Sequence, residues 1–334
     1  MPRKSARLSN TYVPLPVKKA GVVPPDNNTT TDQTSSQIIR KDRNHEQLRP
    51  LCLETSILSQ PTTNTTDDDH HDSTPGQSGK KYKCLGSSLV ELGHTKVLCE
   101  VNAVPTAVIV DQDKSSLQCQ VQFAKHMGKN AILERLYMVS PLDNSNNNSN
   151  NASNNTADSF SIGKLQNATT QLEAELAQEL TTALQPALVL AALPKCAISV
   201  QATILQDDGS VLSTCIAAAT LALMDAQVEM TDLVTSCTVA VLVLPGSSSS
   251  SSSSSHEEEE YIFLADPTQE EMIQAQAIIV LAMTPNHKEV TLWRQSGRLT
   301  SDMANQAIEL CRSGCRTMHK FMREVWVVSS SLQP

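Results

Sequence analysis

Ile198–Asp232 reads ISVQATILQDDGSVLSTCIAAATLALMDAQVEMTD, and three successive patterns in it decide the fold. Apolar Ile198, Val200, Ala202 and Ile204 alternate with other residues up to Gln206, the period of a half-buried strand. Asp207, Asp208, Gly209 and Ser210 supply a tight turn. Ser213 to Asp225 is rich in Ala and Leu and crowded with small side chains, which predicts a helix lying close against a sheet. A helix so apolar on every side is expected to be buried.

Working outward, Gly86–Val101, GSSLVELGHTKVLCEV, reads as a hairpin turning at Gly93-His94, and Pro105 closes it. Leu117–Phe123 alternates as a further strand. Leu172, Leu176, Leu180 and Leu184 recur every four residues in a predicted helix over Leu172–Leu190, with Glu173, Glu175 and Glu179 early in it to suit the helix dipole. Leu233–Leu244, Tyr261–Leu264, Ala277–Met283 and Val290–Trp293 read as strands, and Ser301–Val325 as a closing helix.

The stretch ILQDDGSVLSTCIAAATLALMDAQVEM resembles the LQ-x-D-G turn, Ala-rich helix and D-A-G-[IV]-x-M of the ribonuclease PH family. Gly86–Val101 resembles that family's first hairpin, G-S-x-x-V-E-x-G-x-T-K-V, and Ala265–Glu271, ADPTQEE, resembles its D-P-T-x-x-E turn. Arg49-Pro50 fits the R-P that precedes its first strand, while Arg40, Asp42 and Arg43 fit R-x-D-G-R without the glycine. The resemblance implies an α+β fold of the ribonuclease PH type, similar to ribosomal protein S5 domain 2, in which a mixed sheet carries packed helices. It covers Arg40 to Val325.

The expected organisation is a disordered arm at 1–36, a ribonuclease PH-like domain at 37–328 and a short tail at 329–334. Low-complexity insertions are expected at 61–80, 142–158 and 246–259, where Thr/Asn/Asp, Asn/Ser and Ser/Glu runs cannot build a core. The cluster Asp67–Asp72 with His70 and His71 has ligand chemistry but no rigid frame, so it reads as a solvated insertion.

Composition narrows the function. Of the 334 residues 40% are hydrophobic and only 3% aromatic, so the core is aliphatic and a reader that stacks many bases on rings is hard to assemble. A net charge of −9 argues against a surface that coats nucleic acid, though a local basic patch is compatible with it. The nine cysteines are scattered, lack a Cys-x2-Cys pair and sit mostly in apolar runs, as buried thiols of a reducing compartment do. The first residues carry basic side chains without an apolar core, and no apolar run reaches the length of a membrane span. A soluble intracellular protein is expected.

Phosphorolysis sets inorganic phosphate against an RNA phosphodiester, so it needs cations or amides for two anions and carboxylates for a metal or a proton. Active members resemble D-V-L-Q-A-D-G-G-T-R-T at the central turn. Here Asp208 keeps the second acid, Thr203 stands at the first, and Val211-Leu212 replaces the Thr-Arg pair. Helix arginines that hold phosphate in active members fall on Gln178, Thr182 and Gln185. G-x-S-x-G, P-loop and H-E-x-x-H motifs are absent.

The resemblance therefore implies a non-catalytic subunit of the RNA exosome core ring that needs no cofactor or metal. It would help form the RNA channel in support of 3′-to-5′ processing and degradation in the nucleus, nucleolus and cytoplasm. The implied partners are other ribonuclease PH-like ring subunits, S1/KH cap subunits and RNA, with no membrane. An active phosphate-dependent 3′–5′ exoribonuclease is the alternative. Lys96, Lys125, Lys129 and Arg135 are the candidate RNA contacts, the last three in AKHMGKNAILERLYM, which equally reads as a surface loop leading into a helix. Cys311, Cys315 and His319 share a face of the last helix; that spacing suits zinc with a fourth ligand or, the reading preferred, a face packed on a sheet.

Overall fold

Alternation in Gly86–Val101 sets the first sheet. In the computed structural model, which describes residues 7–10, 40, 43–58, 84–105, 116–125, 127, 157–190, 196–243 and 261–331, Cys84–Leu92 (β3) and Thr95–Pro105 (β4) pair antiparallel across Gly93, whose φ of +61° the turn requires. Arg7–Asn10 (β1), Leu51–Thr55 (β2), Ser116–Phe123 (β5) and Cys196–Gln206 (β6) complete a six-stranded sheet in the order β1-β2-β3-β4-β6-β5. Only β5 and β6 run parallel; the other neighbours are antiparallel, so the sheet is mixed.

Val211–Asp225 (α2) is the predicted buried helix, and every one of its residues is buried. It lies against β3 and β4 on one side and against Thr235–Val243 (β7) of a second sheet on the other. Small residues permit the approach: a Cβ on Gly86 would come within 2.3 Å of the Ala226 nitrogen and 2.4 Å of the Ala222 oxygen. Val90, Val97, Cys99, Val200, Ala202 and Ile204 from the sheet join Ile216, Leu221 and Leu223 of the helix in one apolar core. Each fully buried aliphatic side chain of this kind stabilises the fold by about 1.5–3 kcal/mol.

The second sheet is antiparallel, β7 with Tyr261–Ala265 (β8), Ala277–Thr284 (β9) and Glu289–Gly297 (β10), in the order β10-β9-β7-β8. Ser301–Ser331 (α4) covers β7 and β9, and Gly314 faces Cys237 so closely that a Cβ would lie 2.4 Å from the Cys237 sulfur. Ala157–Leu184 (α1) lies on β5 and reaches β10, where Arg294 pairs with Glu179 at 2.7 Å.

Three boundaries differ from expectation. Arg7–Asn10, assigned to a disordered arm, forms β1 because its backbone pairs with the open edge of β2, Leu8 opposite Leu53. The helix expected at Leu172 starts at Ala157, inside the insertion expected at 142–158; it ends at Leu184 and gives way to a 3-10 turn, Gln185–Ala187, that holds Pro186 near its start. The tail expected at 329–334 begins as helix, since α4 runs to Ser331. The rest of 1–36, together with 61–80 and 246–259, lies outside the described residues.

Candidate functional site

β6 ends at Gln206, and the turn that follows is fixed by its own short side chains. Asp207 Oδ1 accepts a hydrogen bond from the Gly209 amide at 3.0 Å. Thr95, at the head of β4, accepts from the Asp208 amide at 3.0 Å and donates to the Gly209 carbonyl at 2.8 Å. Gly209 has a φ of +89°, and a Cβ there would lie 2.6 Å from the Pro267 oxygen, so only glycine serves. Ser210, where the resemblance has a second glycine, takes a left-handed φ of +55° and donates through Oγ to Pro267 O at 3.2 Å.

Against this turn lies a network of arginines and carboxylates from distant parts of the chain. Arg49 donates through its amide, Nε and Nη2 to the Asp266 carboxylate at 3.0, 2.9 and 2.8 Å. Its Nη1 donates to Asp208 O at 2.6 Å and lies 3.3 Å from Asp208 Oδ2, while Nη2 also reaches Gly209 O. Arg40 grips Glu271 with Nε and Nη2 at 2.5 and 2.8 Å. Arg43 donates to the Asp266 carbonyl at 2.8 Å and stands 3.4 Å from Glu271 Oε2.

Glu271 is set there by the short helix Gln269–Gln274 (α3). Its carboxylate accepts from the Thr268 amide while Thr268 Oγ1 accepts from the Glu271 amide, a reciprocal cap. Burial pushes the Asp266 carboxyl up, but the charge and hydrogen bonds of Arg49, with Arg43 behind them, outweigh it and hold it below its ordinary value. Glu271 is likewise lowered, burial being overcome by Arg40 and the Thr268 amide. Arg49 is raised because Asp266 more than offsets the cost of burial. Burial and the neighbouring Arg40 charge bring Arg43 down to about 10.

The predicted site residues fall as follows. Val211 and Leu212, at the Thr-Arg position, are 1% and 3% exposed and belong to the apolar core. Thr203 faces outward on β6, where its Oγ1 accepts from Gln122 Nε2 at 3.4 Å. Gln178, Thr182 and Gln185 are all exposed along one side of α1 and the turn after it, and none carries charge. Lys96 stands opposite Gln206, close in register to the turn, and pairs with Glu91 across the hairpin at 3.1 Å. Lys125 is exposed two residues beyond β5. Lys129 and Arg135 lie outside the described residues.

Cys311 and Cys315 face the sheet rather than a shared metal position. Their sulfurs donate to the carbonyls of Cys237, Thr235 and Leu281, and His319 instead stands 3.8 Å from Asp232. The Cys315 thiol is pushed well up by burial, and that of Cys311 by its hydrogen bond to Cys237 and by burial. Sequence reasoning missed the network around Asp266. Its members were visible separately, as Arg40, Arg43 and Arg49 and as the ADPTQEE turn, with no spacing to join them.

Comparison with known proteins agrees with this frame. The model of the 3′ exoribonuclease family, domain 1, matches residues 47–229, and that of domain 2 matches residues 232–314. The two meet in the loop after α2, so the first covers β2 to β6 with α1 and α2, and the second covers the other sheet. Exosome complex component MTR3 of Homo sapiens is 34% identical over 154 residues, 46% of this chain and 51% of that protein. Exosome complex component Rrp41 of Methanopyrus kandleri is 30% identical over 141 residues, 42% and 52% of the two chains. The chain thus spans about half the length of the curated relatives it matches. The crystal structure of rice Rrp46 superposes with a TM-score of 0.55 over 88% of this chain and 99% of that one; at 18% identity the likeness is one of fold. With both family models matched in order, one to each sheet and its helices, this chain belongs to the 3′ exoribonuclease family.

Proposed function

We propose that the chain is a non-catalytic subunit of the core ring of an RNA exosome, of the MTR3 kind, and that it shapes the RNA channel without cleaving RNA. The observation that carries this is where the cations go. Arg49, which reaches the central turn, and Arg40 and Arg43 of the same network are taken up by Asp266, Glu271 and Asp208. The positions at which the resemblance places phosphate-holding groups are Leu212, buried in the core, and Gln178, Thr182 and Gln185, uncharged on the surface. Removing one such electrostatic stabiliser costs on the order of a hundredfold in rate, and here several are replaced together.

Its partners in this reading are other ribonuclease PH-like ring subunits, S1/KH cap subunits and RNA, in the nucleus, nucleolus and cytoplasm. The work supported is 3′-to-5′ maturation of ribosomal RNA and turnover of messenger and non-coding RNA. The similarity to exosome components MTR3 and Rrp41 supports the ring assignment.

The test is to purify the complex through a tag on this chain and assay it for phosphate-dependent release of nucleoside diphosphates from RNA. Recovery with several different ring partners, in a ring inert without an added nuclease, is the expected result. A homo-oligomer that degrades RNA only when phosphate is present would establish the active exoribonuclease instead and sink the proposal.

A further inference from the structure

The outer flank of α4 concentrates positive charge in a chain whose net charge is −9. Arg312, Arg316, Lys320 and Arg323 recur at intervals of four, four and three residues and so line one side of the helix over roughly 16 Å. Arg316, Lys320 and Arg323 are exposed, and among the described residues none of these three makes an ion pair. Of the nearby acids, Glu309 is engaged with Arg312 at 2.5 Å, and Glu324 lies at the outer edge, one turn beyond Lys320.

The stripe runs into a cleft of about 600 Å³ between the end of α4, the loop after α2 and the β9–β10 turn. Arg323 and Trp326 form its rim, and Met224, Val228 and Met230 give it apolar walls. Trp326 is 40% exposed; the other tryptophan, Trp293 on β10, is 39% exposed and does not line the cleft. The acid in the cleft is already satisfied: Asp232 accepts from the Asn286 amide and Nδ2 and from the Leu233 amide at 2.8–2.9 Å, and faces His319. Asn286 is thereby held with its side-chain oxygen unpartnered among the described residues, in a turn that also presents His287 and Lys288.

We propose that this flank binds a single strand of RNA, with Arg316, Lys320 and Arg323 following its phosphates and one base entering the cleft against Trp326. Spaced cations leading to an aromatic wall and an amide that can read a base edge are the parts a single-stranded polynucleotide requires. A duplex keeps its bases stacked and has nothing to place in the cleft. The choice of RNA over DNA rests on the function proposed above; the stripe and the cleft do not.

The test is an anisotropy titration of the purified full chain with a labelled single-stranded oligoribonucleotide over a range of salt. The R316Q/K320Q/R323Q variant should bind on the order of tenfold or more weakly, with the slope of log K against log salt reduced by about 2, three contacts on a single strand. Trp326→Ala should weaken binding on the order of tenfold and leave the salt slope unchanged. Both changes are on the surface, and an unchanged melting temperature establishes that the variants are folded. Parental affinity in both variants, or equal competition by duplex, would overturn the proposal. So would variants that keep RNA affinity but lose a ring partner, since the cleft would then hold a protein segment. Recovery of the chain without ring partners bears only on the ring assignment, because this titration uses the chain alone.

Discussion

Arg49 and Asp266 are 217 residues apart and form three hydrogen bonds, two from the guanidinium and one from the Arg49 amide, with both side chains buried. The pair joins the segment entering the first sheet to the loop leaving β8 of the second. Removing one member of a buried pair leaves the other charged and unsolvated. Arg49→Met is expected to destabilise the chain by about 3–5 kcal/mol in urea denaturation. Arg49→Lys should recover little of it, since a lysine cannot reproduce the forked contact and the reach to Asp208 and Gly209 together.

The same network predicts how stability responds to acid. Asp266 and Glu271 have folded-state values below their ordinary 3.8 and 4.5. Their contribution is therefore complete above about pH 4.5 and is lost as the pH falls through the lowered values. Thermal melts of the parent should decline steeply in that range. For Arg49→Met the gap from the parent should narrow there, because protonating Asp266 relieves the variant of its orphaned charge. A constant gap from neutral pH to acid would contradict the role given to Asp266.

Restoring the arginine of the active pattern should fail. Leu212 is 3% exposed within the core, so Leu212→Arg buries a charge with no assigned partner and is expected to cost at least about 3 kcal/mol. Nucleoside diphosphate release from RNA in the presence of phosphate should remain at background in any folded V211T/L212R protein. Activity above background would show that the pocket is rebuilt by one substitution pair.

Gly86 is fixed by contact. Its missing side chain admits the end of α2, whose Ala226 nitrogen would be 2.3 Å from an added Cβ. Gly86→Ala must push that helix end off β3, with an expected loss of at least about 1–3 kcal/mol. Differential scanning calorimetry against the exposed control Gln118→Ala would register it.

The parts of this structure legible in the sequence are those whose side chains repeat. Val90, Leu92 and Val97 mark a hairpin, and the Ala- and Leu-rich run from Val211 to Asp225 marks a helix covered on all sides, with no need of a distant partner. The first half of α1, ADSFSIGKLQNATTQ, lacks a continuous apolar stripe, so its helical state went unread until Leu172. β1 escaped for another reason, since pairing to an open edge is made by backbone groups that every residue carries. At the site, the turn at Asp207–Ser210 was readable from its own composition. The ties from Arg40 to Glu271 and from Arg49 to Asp266 were not, because no periodicity links residues more than two hundred positions apart.

The embrace of both sheets around α2 also fixes an order of events during synthesis. A ribosome that has released Arg40, Arg43 and Arg49 must still make Asp266 and Glu271 before Arg40 or Arg43 meets an acid and before Arg49, which has only Asp208 earlier in the chain, gains its buried partner. Over the same interval α2 has one sheet to lie on and none on its other side, since β7 follows it in the chain. The first family domain therefore waits, half-wrapped and with its charges open to water, for the second to arrive. A chain stalled near residue 230 presents a broad apolar helix face to whatever chaperone meets it, and translation past Glu271 is the step that locks the opening segment in place.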